Sequence, residues 1–132
     1  MTTQTRAIVD AMFAAFNAKD LNAALATVTE DTLWIHHGSQ KMPSVRFEGK
    51  SGAEKFFLTS FHAMKIDYFR PLSMIEQGDR IVVLGEESYL MEGIEGKLTN
   101  LWVQIYTIKD GLIAKMEEFA TSAAASDYMV VS

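Results

Sequence analysis

Apolar residues at Ile8, Val9, Met12, Phe13 and Phe16 recur at three- and four-residue intervals, with Arg6, Asp10 and Asn17 off that face. The spacing predicts an amphipathic first helix. Asp20 is placed to cap a short second helix whose apolar positions are Leu21, Leu25 and Val28. Glu30-Asp31-Thr32 closes that segment. Leu33-Trp34-Ile35-His36-His37 is too short for a helix and rich in strand formers, so it reads as a strand, followed by a loop over Gly38 to Ser44. Ser51-Gly52-Ala53-Glu54 has the form of a capping box, and Ala53, Phe56, Phe57, Phe61 and Met64 line one face of the third helix behind it.

From Ile66 the period becomes strand-like. Runs over about 66–76, 80–91, 97–109 and 112–121 are separated by Gly78-Asp79, Glu92 to Gly96 and Asp110-Gly111. Turns this short join antiparallel neighbours, which predicts a meander. Helices first and strands last make an α+β protein with the helices on one face of the sheet. The 132 residues fit one domain, 1–132.

Composition removes several classes. There is no cysteine, hence no disulfide, thiolate metal site or cysteine nucleophile. A net charge of −5 opposes a nucleic-acid or anionic-membrane partner. No apolar run reaches membrane-span length, and the polar start Met1 to Arg6 lacks the apolar stretch of a signal peptide, so a cytoplasmic location is expected. Gly49-Lys50-Ser51 imitates the end of a phosphate loop, but Ser44 occupies the place of the required glycine. His36, His37 and His62 lack the spacing of a zinc site, so no metal is expected.

An ordered set of segments carries a resemblance. Phe13-Ala14-Ala15-Phe16-Asn17-Ala18-Lys19-Asp20-Leu21, Glu30-Asp31-Thr32-Leu33-Trp34, Phe47-Glu48-Gly49-Lys50, Phe56-Phe57, Gly78-Asp79-Arg80-Ile81-Val82-Val83, Trp102 and Asp110-Gly111-Leu112-Ile113 together resemble the SnoaL-like branch of the ketosteroid isomerase/NTF2-like superfamily. The resemblance implies a cystatin/NTF2-like cone. A curved antiparallel sheet wraps around the N-terminal helices, an apolar cavity lies between them, and the outer sheet face pairs two copies into a homodimer. It implies a small apolar ligand and no organic cofactor.

Aligned with that superfamily, His36 falls where the isomerases carry a proton-shuttling carboxylate, and Gln104 where they carry a late-strand hydrogen-bond donor. Imidazole can also move protons near neutral pH. Met12 stands where those enzymes have a donor tyrosine, and Thr121 where cyclases have an aspartate; neither replacement supplies the same chemistry. On strand 97–109, Asn100, Trp102, Gln104 and Tyr106 share one face, while Leu101, Val103 and Ile105 share the other. The aromatic–amide face is the expected pocket wall, completed by Trp34, Met12, Phe16, Phe57 and Thr121; the alternative is that it forms a dimer interface and the aliphatic face lines the pocket. Asp67, Glu86 and Glu87 are expected to face solvent, and Glu117 and Glu118 to be solvated charges unless one faces inward, where it could stand in for the cyclases' aspartate.

Two functions follow. One is an acid–base enzyme (isomerase, cyclase or hydratase/dehydratase) in which His36 moves a proton and Gln104 holds a polar substrate atom. The alternative is a non-catalytic ligand-binding or dimeric accessory module.

Overall fold

The computed structural model describes residues 3–132. Helix α1 spans Gln4–Asn17 and is capped by Thr3, whose hydroxyl accepts the Arg6 amide at 3.1 Å. Its inward stripe buries Val9, Met12, Phe13 and Ala15. Helix α2, Leu21–Leu25, starts at the predicted cap: the Asp20 carboxylate accepts the Ala23 amide at 3.1 Å. It ends three residues before Val28, which the sequence reading had placed in the helix. Thr27 folds its hydroxyl onto the Ala24 carbonyl, and its own carbonyl accepts the Ile113 amide at 2.8 Å. The chain is thereby captured by the sheet, and strand β1 runs Val28–His36 rather than starting at Leu33.

A short strand that the pattern did not reveal, β2 at Val45–Glu48, pairs antiparallel with the end of β1. Helix α3 spans Gly49–His62 and departs directly from β2, with Glu48 as its cap residue and Gly49 turned to φ 74°. Ser51 therefore already lies within the first turn, and the predicted Ser51–Glu54 capping box is not the helix start. Strands β3 (Met64–Gln77), β4 (Arg80–Met91), β5 (Leu98–Lys109) and β6 (Leu112–Thr121) follow the predicted runs to within two residues. Asp110 and Gly111 both take positive φ, 53° and 77°, the pairing that tightens a two-residue hairpin between β5 and β6.

The six strands form one curved sheet in the order β2-β1-β6-β5-β4-β3. Only the β1–β6 pair is parallel, so β1 inserts beside the last strand and closes the meander's open side. Pro71 lies on the edge strand β3, where its missing N–H costs no central ladder bond, beside one of two register shifts in the β3–β4 pair. The helices cover the concave face. The core between the layers holds Val9, Met12, Trp34, Phe57, Ile81, Val83, Ile113 and Met116, all buried.

Candidate functional site

Strand parity decides which side chains enter the concavity. On β5, Asn100, Trp102, Gln104 and Tyr106 are buried, whereas Leu101 on the opposite face is 60% exposed. The aromatic–amide face is the concave one. On β4, Glu87 has the same parity as Ile81 and Val83, and on β6 Glu118 has the parity of Met116. Both carboxyls are consequently buried, contrary to the solvent positions expected for them. Glu117 points the other way and pairs with His37 on the outer face at 3.1 Å; that hydrogen bond is the main cause of its lowered pKa.

The register places an amide beside each buried carboxyl. Asn100 is the cross-strand partner of Glu87, and its Nδ2 donates to Oε2 at 3.1 Å; Gln104 is the partner of Glu118, and its Nε2 donates to Oε1 at 2.7 Å. Between them Trp102 lies over Gly85, its partner on β4, where a Cβ would run into the indole ring. Trp102 also stacks on Phe69 with ring centroids 4.9 Å apart. The glycine leaves room for the largest side chain on β5.

His36 is the parallel-register neighbour of Glu118 and faces the same side. Its Nε2 lies 3.1 Å from Glu118 Oε2, and its Nδ1 accepts the Gly38 amide at 2.9 Å. An accepting Nδ1 puts the neutral ring's proton on Nε2, aimed at Glu118. Tyr106 donates its hydroxyl to Gln104 Oε1 at 2.5 Å, which fixes the amide so that Nε2 points at Glu118. Every donor in this chain is directed toward one carboxylate. Glu118 is the acceptor on which Gln104 and His36 converge.

These contacts shape the proton affinities. Burial, reinforced by the Glu118 charge, pushes Glu87 up to about 8, against the opposing Asn100 hydrogen bond and His36. Glu87 therefore carries its proton at neutral pH. Burial disfavours the charged form of His36, but the hydrogen bond to Glu118 and its charge, with a smaller part from Glu87, outweigh it and raise the ring's pKa. Burial, and then the Glu87 charge, lift Tyr89 to about 12; Tyr106 rises well above its ordinary value through burial and Glu118. Both phenols stay protonated; Tyr106 donates to Gln104, and Tyr89 accepts from Asn100.

A cavity of about 120 Å³ opens against this cluster. His36, Gln104, Glu87 and Glu118 supply its polar wall, and Trp34, Tyr106, Met12 and Phe16 line it as expected. Four expected wall residues stand outside it. Trp102 is committed to Phe69 and Gly85, Phe57 packs edge-on against Trp34 within the core, and Asn100 lies behind Glu87. Thr121 sits at the end of β6, where its hydroxyl accepts from Gln40 Nε2 at 3.0 Å. No lining residue is lysine or arginine. Among the described residues no group of three His, Asp or Glu is arranged to hold a metal, and no helix is long and apolar enough to cross a membrane.

A curved sheet closed over helices, with titratable groups at the base of its hollow, defines an NTF2-like α+β cone. The SnoaL-like domain family matches residues 9–116, and the chain belongs to that family. Its structure is similar to that of an NTF2-like protein from Burkholderia xenovorans (22% identity, 92% of each chain covered, TM-score 0.80). It is also similar to an NTF2-like protein of unknown function from Burkholderia pseudomallei (21% identity, 92% and 93% covered, TM-score 0.74). An LEH-like epoxide hydrolase from M. tuberculosis shares the fold at 13% identity (90% and 84% covered, TM-score 0.70). No curated protein sequence matches the chain.

Proposed function

We propose that the protein is an acid–base enzyme acting on a small, uncharged, largely apolar molecule in the cone cavity. Glu118 takes a proton, Glu87 gives one, and His36 with Gln104 positions Glu118. The observation that carries this reading is the pair of inward carboxyls with different surroundings: burial raises Glu87 to about 8, so it keeps its proton, whereas Glu118 accepts from Gln104 and lies beside the His36 ring. His36 thereby moves from proton shuttle to positioning residue, because both ring nitrogens already have partners.

The cavity restricts the substrate. With no lining lysine or arginine, and with the Glu118 carboxylate in its wall, it disfavours carboxylates and phosphates. A volume of about 120 Å³ fits a molecule of roughly one ring, near the ~150 Å³ of an apolar cavity that admits benzene. A fused four-ring substrate would not fit. The mechanism begins with a C–H or O–H beside Glu118 Oε2. As that proton moves onto the carboxylate, charge accumulates on a substrate oxygen, and the Glu87 O–H stabilises it by a hydrogen bond or transfers its proton. The exposed outer residues Leu101 and Phe119 support pairing of two copies through that face, as in the homodimer the resemblance implies.

Isomerisation of cyclohex-3-en-1-one in D2O tests the chemistry. Turnover with solvent deuterium in the product, lost by about 10²-fold or more in Glu118→Gln, is the expected result. One observation favours a second reading, a non-catalytic ligand carrier: His36, Gln104, Tyr106 and Glu118 are already hydrogen-bonded to one another. Tight binding of cyclohexenone with no deuterium exchange would select the carrier.

A further inference from the structure

We propose that residues 37–44 are a lid over the cavity and that a second proton on His36, at Nδ1, releases it. This segment links β1 to β2 without regular structure, and its Met42 and Pro43 line the cavity. It is held at both margins. The Gly38 amide donates to His36 Nδ1 at 2.9 Å, and the Ser44 hydroxyl donates to the His37 carbonyl at 2.7 Å. Across the gap, Gln40 Nε2 donates to Thr121 Oγ1 at 3.0 Å, and Gln40 Oε1 accepts the Ser122 amide at 2.7 Å. Gln40 thus latches the segment to the end of β6, three residues beyond Glu118. Within the loop the Ser39 amide donates to the Met42 carbonyl at 3.0 Å, and Gly38 takes φ 88°. The loop is a turn with its own internal bond, tied to the rest of the fold through these anchors.

The anchor at His36 is conditional. Nδ1 has a single lone pair, and the Gly38 N–H uses it. A ring protonated on both nitrogens would turn N–H against N–H, replacing an attraction with a repulsion at the root of the lid. Glu118 from β6, within 3.1 Å of the ring, favours that second proton, while Glu87 from β4, which holds its own proton below pH about 8, is uncharged in this range. From β2 the residue opposite His36 is Val45, which is uncharged, and Arg46 beside it pairs with Glu48 at 3.6 Å. The outer His37 is paired with Glu117. Protonation therefore strengthens the His36–Glu118 pair while it detaches Gly38. Because Glu118 is the base proposed above, the same event would hold the base more tightly and open the cavity.

The first test needs neither ligand nor turnover, so its outcome is separate from that of the enzymatic reading. Nitrogen-15 NMR of the free protein follows the His36 ring and the loop amides from pH about 8 to about 5. The expected result is an Nε2–H tautomer at high pH. Gly38 amide protection should then fall by about fivefold, the worth of one hydrogen bond, with the ring's own midpoint. Amides 39–43 should shift with it. In the second test, nitrobenzene quenches Trp34 emission, and its release rate by stopped flow should rise with that same midpoint. Gln40→Ala should release it faster at every pH while keeping the pH dependence. A Gly38 amide that stays protected through the ring's titration overturns the proposal. So does an Nδ1–H tautomer at high pH, or a ring that takes up no proton by pH about 5. If nitrobenzene fails to bind, the cavity assignment is at fault, and the NMR result still decides the lid.

Discussion

His36 and Glu118 are parallel neighbours on β1 and β6, with Nε2 3.1 Å from Oε2, and the other carboxylate oxygen is taken by Gln104 at 2.7 Å. In Glu118→Gln the acceptor becomes an amide that cannot accept from both donors with both of its atoms. One buried donor is left facing an NH2 group, at a cost of about 1–3 kcal/mol. The His36 ring also loses the interactions that raise its pKa, while burial, which lowers it, remains. Its midpoint should fall below the wild-type value, read directly by NMR titration. An unchanged midpoint would mean that Glu118 does not govern the ring.

Glu87 gives the protein a defined pH liability. Its folded-state value, about 8, lies above the ordinary 4.5, so between these limits the native state keeps a proton that the unfolded chain releases. Stability then declines as pH rises through this window. His36, also raised, acts in the same direction: its contribution is complete below the ordinary histidine value and is lost as pH rises through the folded one. Glu87→Gln keeps a neutral group that can still meet Asn100. It should flatten the decline and leave the variant more stable than wild type at pH about 8, by up to about 4 kcal/mol. Urea denaturation at several pH values measures this.

The fold was largely legible because its signals are local. Period and turn residues located three helices and four long strands, and the Asp20 cap lies where its side chain predicted. Strand β2 was missed because four residues pair only through contacts formed after folding, and Val28 was misassigned because capture by Ile113 outweighs helical spacing. Of the cavity's polar wall, His36 and Gln104 were anticipated, Glu118 only as an alternative and Glu87 not at all. Charge argued for solvent at Glu87 and Glu118, whereas alternation with Ile81 and Val83 and with Met116 pointed inward. Parity was the better guide. What no single strand could reveal is the pairing of Asn100 with Glu87 and Gln104 with Glu118, because it depends on inter-strand register. Trp102 was assigned to the wall on the correct face, yet Gly85 opposite gives it a place in the core instead.

Gly85→Ala tests that packing. The added methyl would enter the space of the Trp102 ring, which is held from the far side by Phe69. Neither neighbour can withdraw without disturbing the row that aligns Asn100 and Gln104. We expect a loss of about 1–3 kcal/mol, typical of overpacking, with a reduced near-ultraviolet circular dichroism signal. Stability equal to wild type would show that the indole can be accommodated elsewhere.

Tyr106→Phe separates orientation from simple packing. The ring stays buried against Trp34 and Phe13, but Gln104 Oε1 loses the hydroxyl that it accepts. A buried carbonyl oxygen without a donor costs about 1–3 kcal/mol, so stability should fall within that range. With no hydroxyl to hold it, the amide can also turn its oxygen toward Glu118, and the carboxylate then loses the Gln104 donor. Proton transfer from cyclohex-3-en-1-one should drop by about tenfold or more, mainly in kcat, since the cavity wall is unchanged. Thr29→Val serves as the comparison. It removes an exposed hydroxyl, bonded to Asp31 at 2.9 Å and outside both the cavity and its lid, and should leave kcat within about twofold, the scale of a surface change. If the two variants lose activity equally, the Tyr106–Gln104–Glu118 chain does not orient the base.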